Sequence, residues 1–120
     1  MLFIRQEQMD AFSVPSRFHL VDKVLAVLDC REPALQAPEH RQTVRRLLKR
    51  AVDRAFDELG CLGESAAADY AGLVYEFGFE FERDARVTAL LAEAGRSMDS
   101  RIQSLFLELK DDDWLRLRQG

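Results

Sequence analysis

The positions of proline and glycine constrain the fold of this 120-residue chain most strongly. All three prolines lie in the first third, at Pro15, Pro33 and Pro38, and all six glycines lie at or after Gly60. Proline suits the first turn of a helix and glycine suits its C-terminal cap, whereas both residues interrupt a helix elsewhere. The pattern therefore predicts helices joined by short connections.

The most regular apolar pattern lies between Pro38 and Gly60. Apolar residues recur there every three or four positions, the period of one helical face; they are Val44, Leu47, Leu48, Ala51, Val52, Ala55, Phe56 and Leu59. This spacing predicts a helix that begins at Pro38 and ends at Gly60, which suits its C-terminal cap.

Similar spacing predicts five further helices. We expect them at about 2–12, from Ser13 to Pro33, and over 65–77, 85–95 and 98–110. Asp84 and Ser97 precede the last two, where a side-chain oxygen can cap a helix. In the helix over 65–77, the alanines and Gly72 predict a close approach of a neighbouring helix.

Residues 77–83 depart from the helical period. Phe77, Phe79 and Phe81 alternate there with glycine and glutamate, a period of two that is typical of a strand. A single strand would leave its backbone groups without partners. We therefore predict a structured loop whose aromatic rings fill the core. The alternative is an exposed aromatic patch that contacts a partner protein.

The C-terminal end is predicted to leave the last helix near Lys110. The run Asp111–Asp113 is unfavourable at the negative end of a helix dipole. The tail that contains Trp114 is expected to dock on the rest of the protein. We therefore predict an all-α fold in which residues 1–120 form one domain, a compact bundle of five or six helices.

Composition indicates a globular cytoplasmic protein. Hydrophobic residues make up 48% of the chain and charged residues 32%. No apolar run approaches the ~20 residues of a membrane span, and the first residues lack the pattern of a signal peptide. Two cysteines, Cys30 and Cys61, make no disulfide framework and are expected to be reduced thiols.

Charge is distributed unevenly around a net value of −4. Residues 1–60 carry a net +1 and residues 61–120 a net −5. Basic side chains concentrate on the polar face of the helix over 38–60, at Arg41, Arg45, Arg46, Lys49, Arg50 and Arg54. This face is a solvated surface, a docking surface for an acidic protein, or a nucleic-acid recognition helix. The acidic chain and the lack of a helix-turn-helix pattern disfavour nucleic acid.

Catalytic, metal and cofactor sites are not predicted. His19, Cys30, His40 and Cys61 are scattered, without the paired spacing of metal ligands. The acidic clusters, at 76–84 and 111–113, lie among residues expected in loops and at the surface, and catalytic carboxylates require a buried cleft. Nucleophile-elbow, Walker and Rossmann patterns are also missing. We therefore expect a protein that is not an enzyme.

Two short motifs resemble one group of bacterial proteins. The first is Ile4-Arg5-x-x-Gln8-Met9-x-Ala11-Phe12, and the second is Asp69-Tyr70-x-x-Leu73-Val74-Tyr75-Glu76-Phe77-Gly78-x-x-Phe81-Glu82-x-Asp84-x-Arg86. They resemble small proteins encoded beside type VI secretion spike and adaptor-chaperone genes in Gram-negative bacteria. The resemblance extends over residues 4–109. The chain departs from the pattern at Ala85 and Thr88-Ala89, where the group has a proline and a Pro-Trp pair.

The resemblance implies a non-catalytic accessory protein with a co-chaperone-like role. It would bind an adaptor chaperone or an effector and aid or regulate effector loading. The alternatives are an immunity protein that neutralises a neighbouring toxin and a small DNA-binding regulator. No membrane partner is expected, and a homodimer is left open. The candidate partner-binding residues are Ile4, Gln8, Met9, Phe12, Arg45, Lys49, Phe79 and Phe81.

Overall fold

Six α-helices make up most of the structure. The computed structural model describes the backbone of residues 14–119 and the side chains of residues 17–119. The helices are α1 (Val14–Asp29), α2 (Pro38–Asp53), α3 (Glu64–Phe77), α4 (Ala85–Leu91), α5 (Met98–Glu108) and α6 (Asp111–Gln119). These residues contain no strand, so the predicted all-α bundle of five or six helices is confirmed. The helix predicted at about 2–12 lies outside the described residues.

Three of the predicted start signals, at Pro38, Asp84 and Ser97, are confirmed. Pro38 occupies the first turn of α2. The Asp84 side chain accepts hydrogen bonds from the backbone N–H groups of Arg86 and Val87 at the start of α4. Ser97 accepts one from Ser100 at the start of α5. Each cap satisfies backbone donors that have no partner within the helix.

The end of α2 differs from the prediction of one regular helix up to Gly60. A π-helical turn, Arg54–Glu58, follows α2, and the backbone N–H of Leu59 donates to the Arg54 carbonyl at 2.9 Å. Such wide turns insert one residue into the helical ladder. Gly60 then has a φ of 80°, the left-handed conformation that glycine adopts readily after a helix.

α3 lies at the centre of the bundle. It packs against α1, α2, α5 and α6, and Tyr70 is its largest fully buried side chain. Ala66, Ala67 and Ala71 are buried as well, so these alanines face neighbouring elements. Gly72 is different, because a Cβ atom placed there would meet no atom within 4 Å. Gly72 therefore borders open space and is not a helix contact.

The aromatic stretch forms a 3₁₀ turn, Phe79–Arg83, that follows Gly78. Gly78 has a φ of 77°, which reverses the chain at the end of α3. Phe81 is buried, and its ring centroid lies 5.7 Å from that of Tyr70. Phe79 is only half-buried. The predicted structured segment that fills the core is therefore confirmed at Phe81.

The C-terminal tail is docked, and it is helical. α5 ends at Glu108, close to the predicted end at Lys110, and the run Asp111–Asp113 forms the first turn of α6. Negative side chains stabilise that end of a helix. The Trp114 ring stacks on Phe77 with centroids 5.7 Å apart. None of the described helices combines the length and the apolar character that crossing a membrane requires.

Candidate functional site

A charged cleft opens where the π-helical turn after α2 meets the 3₁₀ turn after α3. Its volume is about 510 Å³. Seven of the eight residues that line it are charged; the lining consists of Arg50, Asp53, Arg54, Asp57, Glu58, Phe79, Glu82 and Arg83. We call this surface the polar cleft. It brings residues of the basic helix next to residues of the second motif.

Arg54 and Glu82 form the inner wall of the polar cleft. The Arg54 Nη2 and Nε atoms donate to the two oxygens of Glu82 at 2.7 and 2.9 Å. Arg54 also donates to the hydroxyl of Tyr70 at 3.0 Å, and that hydroxyl donates to Glu82. Two-pronged bonds of this kind are among the strongest that side chains make. They fasten the 3₁₀ turn to α2 and α3.

The ionisation of this cluster is set by its surroundings. Burial and the neighbouring carboxylate of Glu82 raise the pKa of Tyr70 well above its usual range. Burial alone would raise the pKa of Glu82, but hydrogen bonds from Arg54 and Tyr70 outweigh it and hold that pKa below the ordinary value. At neutral pH Glu82 is therefore a carboxylate and Tyr70 a neutral phenol. Neither group is tuned for proton transfer.

Arg17 of α1 holds two carboxylates that line the polar cleft. It donates to Asp57 at 2.8 Å and to Asp53 at 3.0 Å. Lys49 also contacts Asp53, with a shortest distance of 2.7 Å. The hydrogen bond from Arg17 is the main reason that the pKa of Asp57 is lowered. These pairs join α1 to the end of α2.

Two arginines of the polar cleft are left without a carboxylate. Arg50 lies over the ring of Phe79, 5.2 Å from its centroid, and Arg83 is exposed. Within residues 17–119, neither guanidinium has a hydrogen bond or an ion pair to an acidic side chain. Each carboxylate that lines the cleft already contacts Arg17, Lys49 or Arg54. Arg50 and Arg83 therefore present positive charge, unpaired within this part of the chain, beside the ring of Phe79. Two such guanidinium groups can bind a carboxylate.

The predicted contact residues are divided between different surroundings. Arg45 pairs with Asp22 of α1 at 2.9 Å, and Lys49 pairs with Asp53. Phe79 lines the polar cleft. Phe81 is 3% exposed and belongs to the core, so it is not part of a contact surface. The remaining candidates lie outside the described residues: Ile4, Gln8, Met9 and Phe12.

The basic face of α2 is largely paired with acidic residues of the chain itself. Besides Arg45, Arg41 pairs with Asp29 of α1, and Arg54 pairs with Glu58 and Glu82. Since Lys49 pairs with Asp53, four of the six basic residues predicted on this polar face are paired within the chain. Sequence spacing contains no signal for the pairs with Asp22, Asp29 and Glu82, because these acids lie 12 to 28 residues away from their arginines and in other elements. The pair of Arg54 with Glu58, four positions apart, is the exception.

The two cysteines are free thiols in different surroundings. Cys61 is buried, and burial raises the pKa of its thiol to about 11, so it is protonated at neutral pH. Cys30 is exposed. In the part of the chain that the structure describes, no three His, Cys, Asp or Glu side chains are grouped to hold a metal ion.

Comparisons with known proteins give no match for this chain. No family model matches it, and neither does any curated protein or any solved structure.

Proposed function

We propose that this chain is a non-catalytic accessory protein that binds an adaptor chaperone or an effector of a type VI secretion system and aids or regulates effector loading. The two motifs described above suggest this setting. The polar cleft supports a binding role because, among the described residues, its acidic side chains are paired and two of its arginines are not. Its carboxylates are held by cations of the chain itself, whereas Arg50 and Arg83 are free to receive an acidic segment of a partner.

The second motif supplies the rigid part of this surface. Tyr70 and Glu82 of that motif hold the 3₁₀ turn in place through Arg54. The 3₁₀ turn then places the Phe79 ring under Arg50, and it places Arg83 in the same cleft. A surface held in one conformation before binding loses less conformational entropy when the partner docks. The motif residues therefore act as positioning residues for the proposed contact.

Co-purification from the host provides the test. The tagged protein is expected to retain the adaptor chaperone or the effector encoded near its gene. The double variant Arg50→Glu, Arg83→Glu should retain at least about tenfold less, because two attractive contacts become repulsive. Arg96→Glu is the matched control, since Arg96 is exposed and does not line the polar cleft. Wild-type protein that retains neither partner would exclude the proposed role.

Co-expression separates this role from that of an immunity protein. An accessory protein is not expected to protect a cell that expresses the neighbouring toxin alone. Rescue of such cells by this chain without an adaptor would favour the immunity role.

A further inference from the structure

An apolar groove between α1 and α3 has a chemistry unlike that of the polar cleft. Its volume is about 410 Å³, and α5 and α6 close one end. The main apolar side chains that line it are Val24, Val27, Leu28, Leu73, Phe106 and Trp114. Val27 is 63% exposed and Phe106 48% exposed, although both are large apolar residues. Contiguous apolar surface that faces water marks an interaction site.

Gly72 forms part of the groove floor. A Cβ atom at this position would meet no atom within 4 Å, so packing does not require a glycine. Glycine inside a helix costs about 1 kcal/mol relative to alanine. The glycine therefore lowers the stability of α3 and keeps the groove deep.

Among the described residues, Asp69 is the one acidic group of the groove that lacks a cation. Its side chain is half-buried, and no described residue donates a hydrogen bond to it or pairs with it. The other acids along the groove are paired: Glu76 with Arg31 at 3.1 Å, and Glu64 with Lys23 at 3.9 Å. Arg118 lies exposed on the rim and makes no contact with Asp69. Burial raises the pKa of Asp69, which reflects the missing partner.

The groove has the length of a helix-binding site. A shallower depression continues it towards the start of α3, and both share Val24, Val27 and Ala68. From Ser65 to Glu76 the floor extends roughly 16 Å along α3, at 1.5 Å per residue. That length accommodates about three turns of a third helix laid between two others.

We propose that this groove binds an amphipathic α-helix of a partner protein, and that a lysine or arginine on the apolar face of that helix pairs with Asp69. The inference rests on the proposed function only in that the chain binds a partner protein. Helices that dock in grooves are held by apolar anchors at intervals of three and four residues. An unpaired carboxylate in the middle of the groove selects a cation at the matching position, because a partner without it would leave the charge buried and alone.

Two synthetic peptides test the selectivity of the groove. Both are blocked 14-residue helices of alanine, leucine and glutamine, with lysine in one and glutamate in the other at the centre of the apolar face. Trp114 is the single tryptophan of the chain and lines the groove, so its fluorescence reports binding to the full-length protein. We expect the lysine peptide to bind at least about tenfold more tightly than the glutamate peptide.

Three variants assign the binding to the groove. Asp69→Lys is expected to reverse the preference between the two peptides. Gly72→Leu should fill the groove and abolish binding while the unfolding midpoint stays the same or rises, because leucine favours a helix more than glycine does. Leu62→Asp is the control, since Leu62 is 75% exposed and does not line the groove.

Several results would overturn the proposal. These are equal binding of the two peptides, no saturable binding of the lysine peptide up to about 1 mM, or unchanged binding in Gly72→Leu. A wild-type dimer that Gly72→Leu converts to a monomer in sedimentation would show that a second copy fills the groove. A monomer whose Trp114 becomes exposed in Gly72→Leu would show that the chain fills its own groove. Both results would overturn it as well.

The peptide experiment and the co-purification test different proposals, so a negative result in one does not contradict the other. Peptide binding without retention of an adaptor or an effector would contradict only the role in secretion. Retention of a partner by a protein that binds neither peptide would contradict only the groove.

Discussion

Glu82 has the least exposed side chain of the four carboxylates that line the polar cleft. It accepts two bonds from Arg54 and one from Tyr70, and it comes from a turn that has few other polar ties to α2. Glutamine at this position would keep one acceptor oxygen, but it would remove the negative charge and present an NH2 donor, so that part of the buried donors of Arg54 and Tyr70 would lose their acceptor. Such unsatisfied groups cost more than the net value of the bonds that are lost.

Glu82→Gln is therefore expected to lower the free energy of unfolding by about 1.5–3 kcal/mol, the range for hydrogen bonds to charged groups. Urea unfolding followed by circular dichroism measures this. Glu80→Gln is the matched control, because Glu80 lies in the same turn and is exposed. Equal stability of the two variants would contradict the role given to Glu82.

Asp69 is expected to behave in the opposite way when its charge is removed. Its pKa is raised by burial, so the ionised form is less stable in the folded protein than in the unfolded chain. Asp69→Asn should therefore raise the free energy of unfolding at pH 7. Because the side chain is only half-buried, solvent screens much of the penalty, and a gain of about 0.5 kcal/mol is reasonable.

The same urea experiment measures the gain at pH 7 and again at pH 4. The difference between variant and wild type should shrink at the lower pH, because the raised pKa lets Asp69 take up a proton more readily in the folded protein than in the unfolded chain. A variant less stable than wild type at pH 7 would mean that an unrecognised partner holds Asp69.

At the scale of elements, α6 depends on how its first turn is capped. The Asp113 side chain accepts a hydrogen bond from the backbone N–H of Lys110 at 3.0 Å and another from Arg116. Arg116 also binds Asp84, which caps α4. This links the start of α6 to the start of α4. One aspartate of the three therefore orders the helix that carries Trp114.

Asp113→Ala is expected to loosen α6, whereas Asp112→Ala should have little effect. Both changes remove a negative charge from the first turn, but only Asp113 makes the cap and the bond to Arg116. Amide exchange in α6 should become about two- to fivefold faster, and Trp114 emission should shift to longer wavelength. Equal exchange in the two variants would show that charge alone orders the helix.

The elements were largely predictable from the sequence, since their signals are local. The stripe from Val44 to Leu59 marks α2, and Asp84 and Ser97 mark the starts of α4 and α5. The helical tail differs from the prediction. A run of aspartates disfavours the end of one helix and equally favours the start of the next, so the run alone does not decide between the two.

The candidate sites were less predictable, because they depend on pairs distant in sequence. Arg54 and Glu82 are 28 residues apart, and Arg17 and Asp57 are 40 apart. Similarly, the residues next to Asp69 in the sequence do not predict that its carboxylate lacks a cation among the described residues. They also do not predict that Gly72 borders a groove. Residue type and spacing identify a helix face, but the partner of each charge is set by the packing of whole helices.

For the whole molecule, ion pairs between elements make stability depend on pH. Asp57, Glu82 and Asp84 have lowered pKa values in the folded protein, mainly because of arginines from other elements. Aspartate and glutamate of an unfolded chain titrate at about 3.9 and 4.3. The unfolded state therefore binds these protons more tightly than the folded state does.

The stability that these carboxylates contribute is fully present above the unfolded pKa values and is lost as the pH falls through the lower, folded values. The urea midpoint should thus be nearly constant from pH 7 to about 5 and then fall towards pH 3. The raised pKa of Asp69 changes stability with pH in the opposite direction, but the three lowered pKa values together outweigh it. Glu82→Gln should make the decline shallower, because one of the three groups no longer titrates. A midpoint that holds steady or rises between pH 5 and pH 3 would mean that the pairs between helices contribute little to the stability of the bundle.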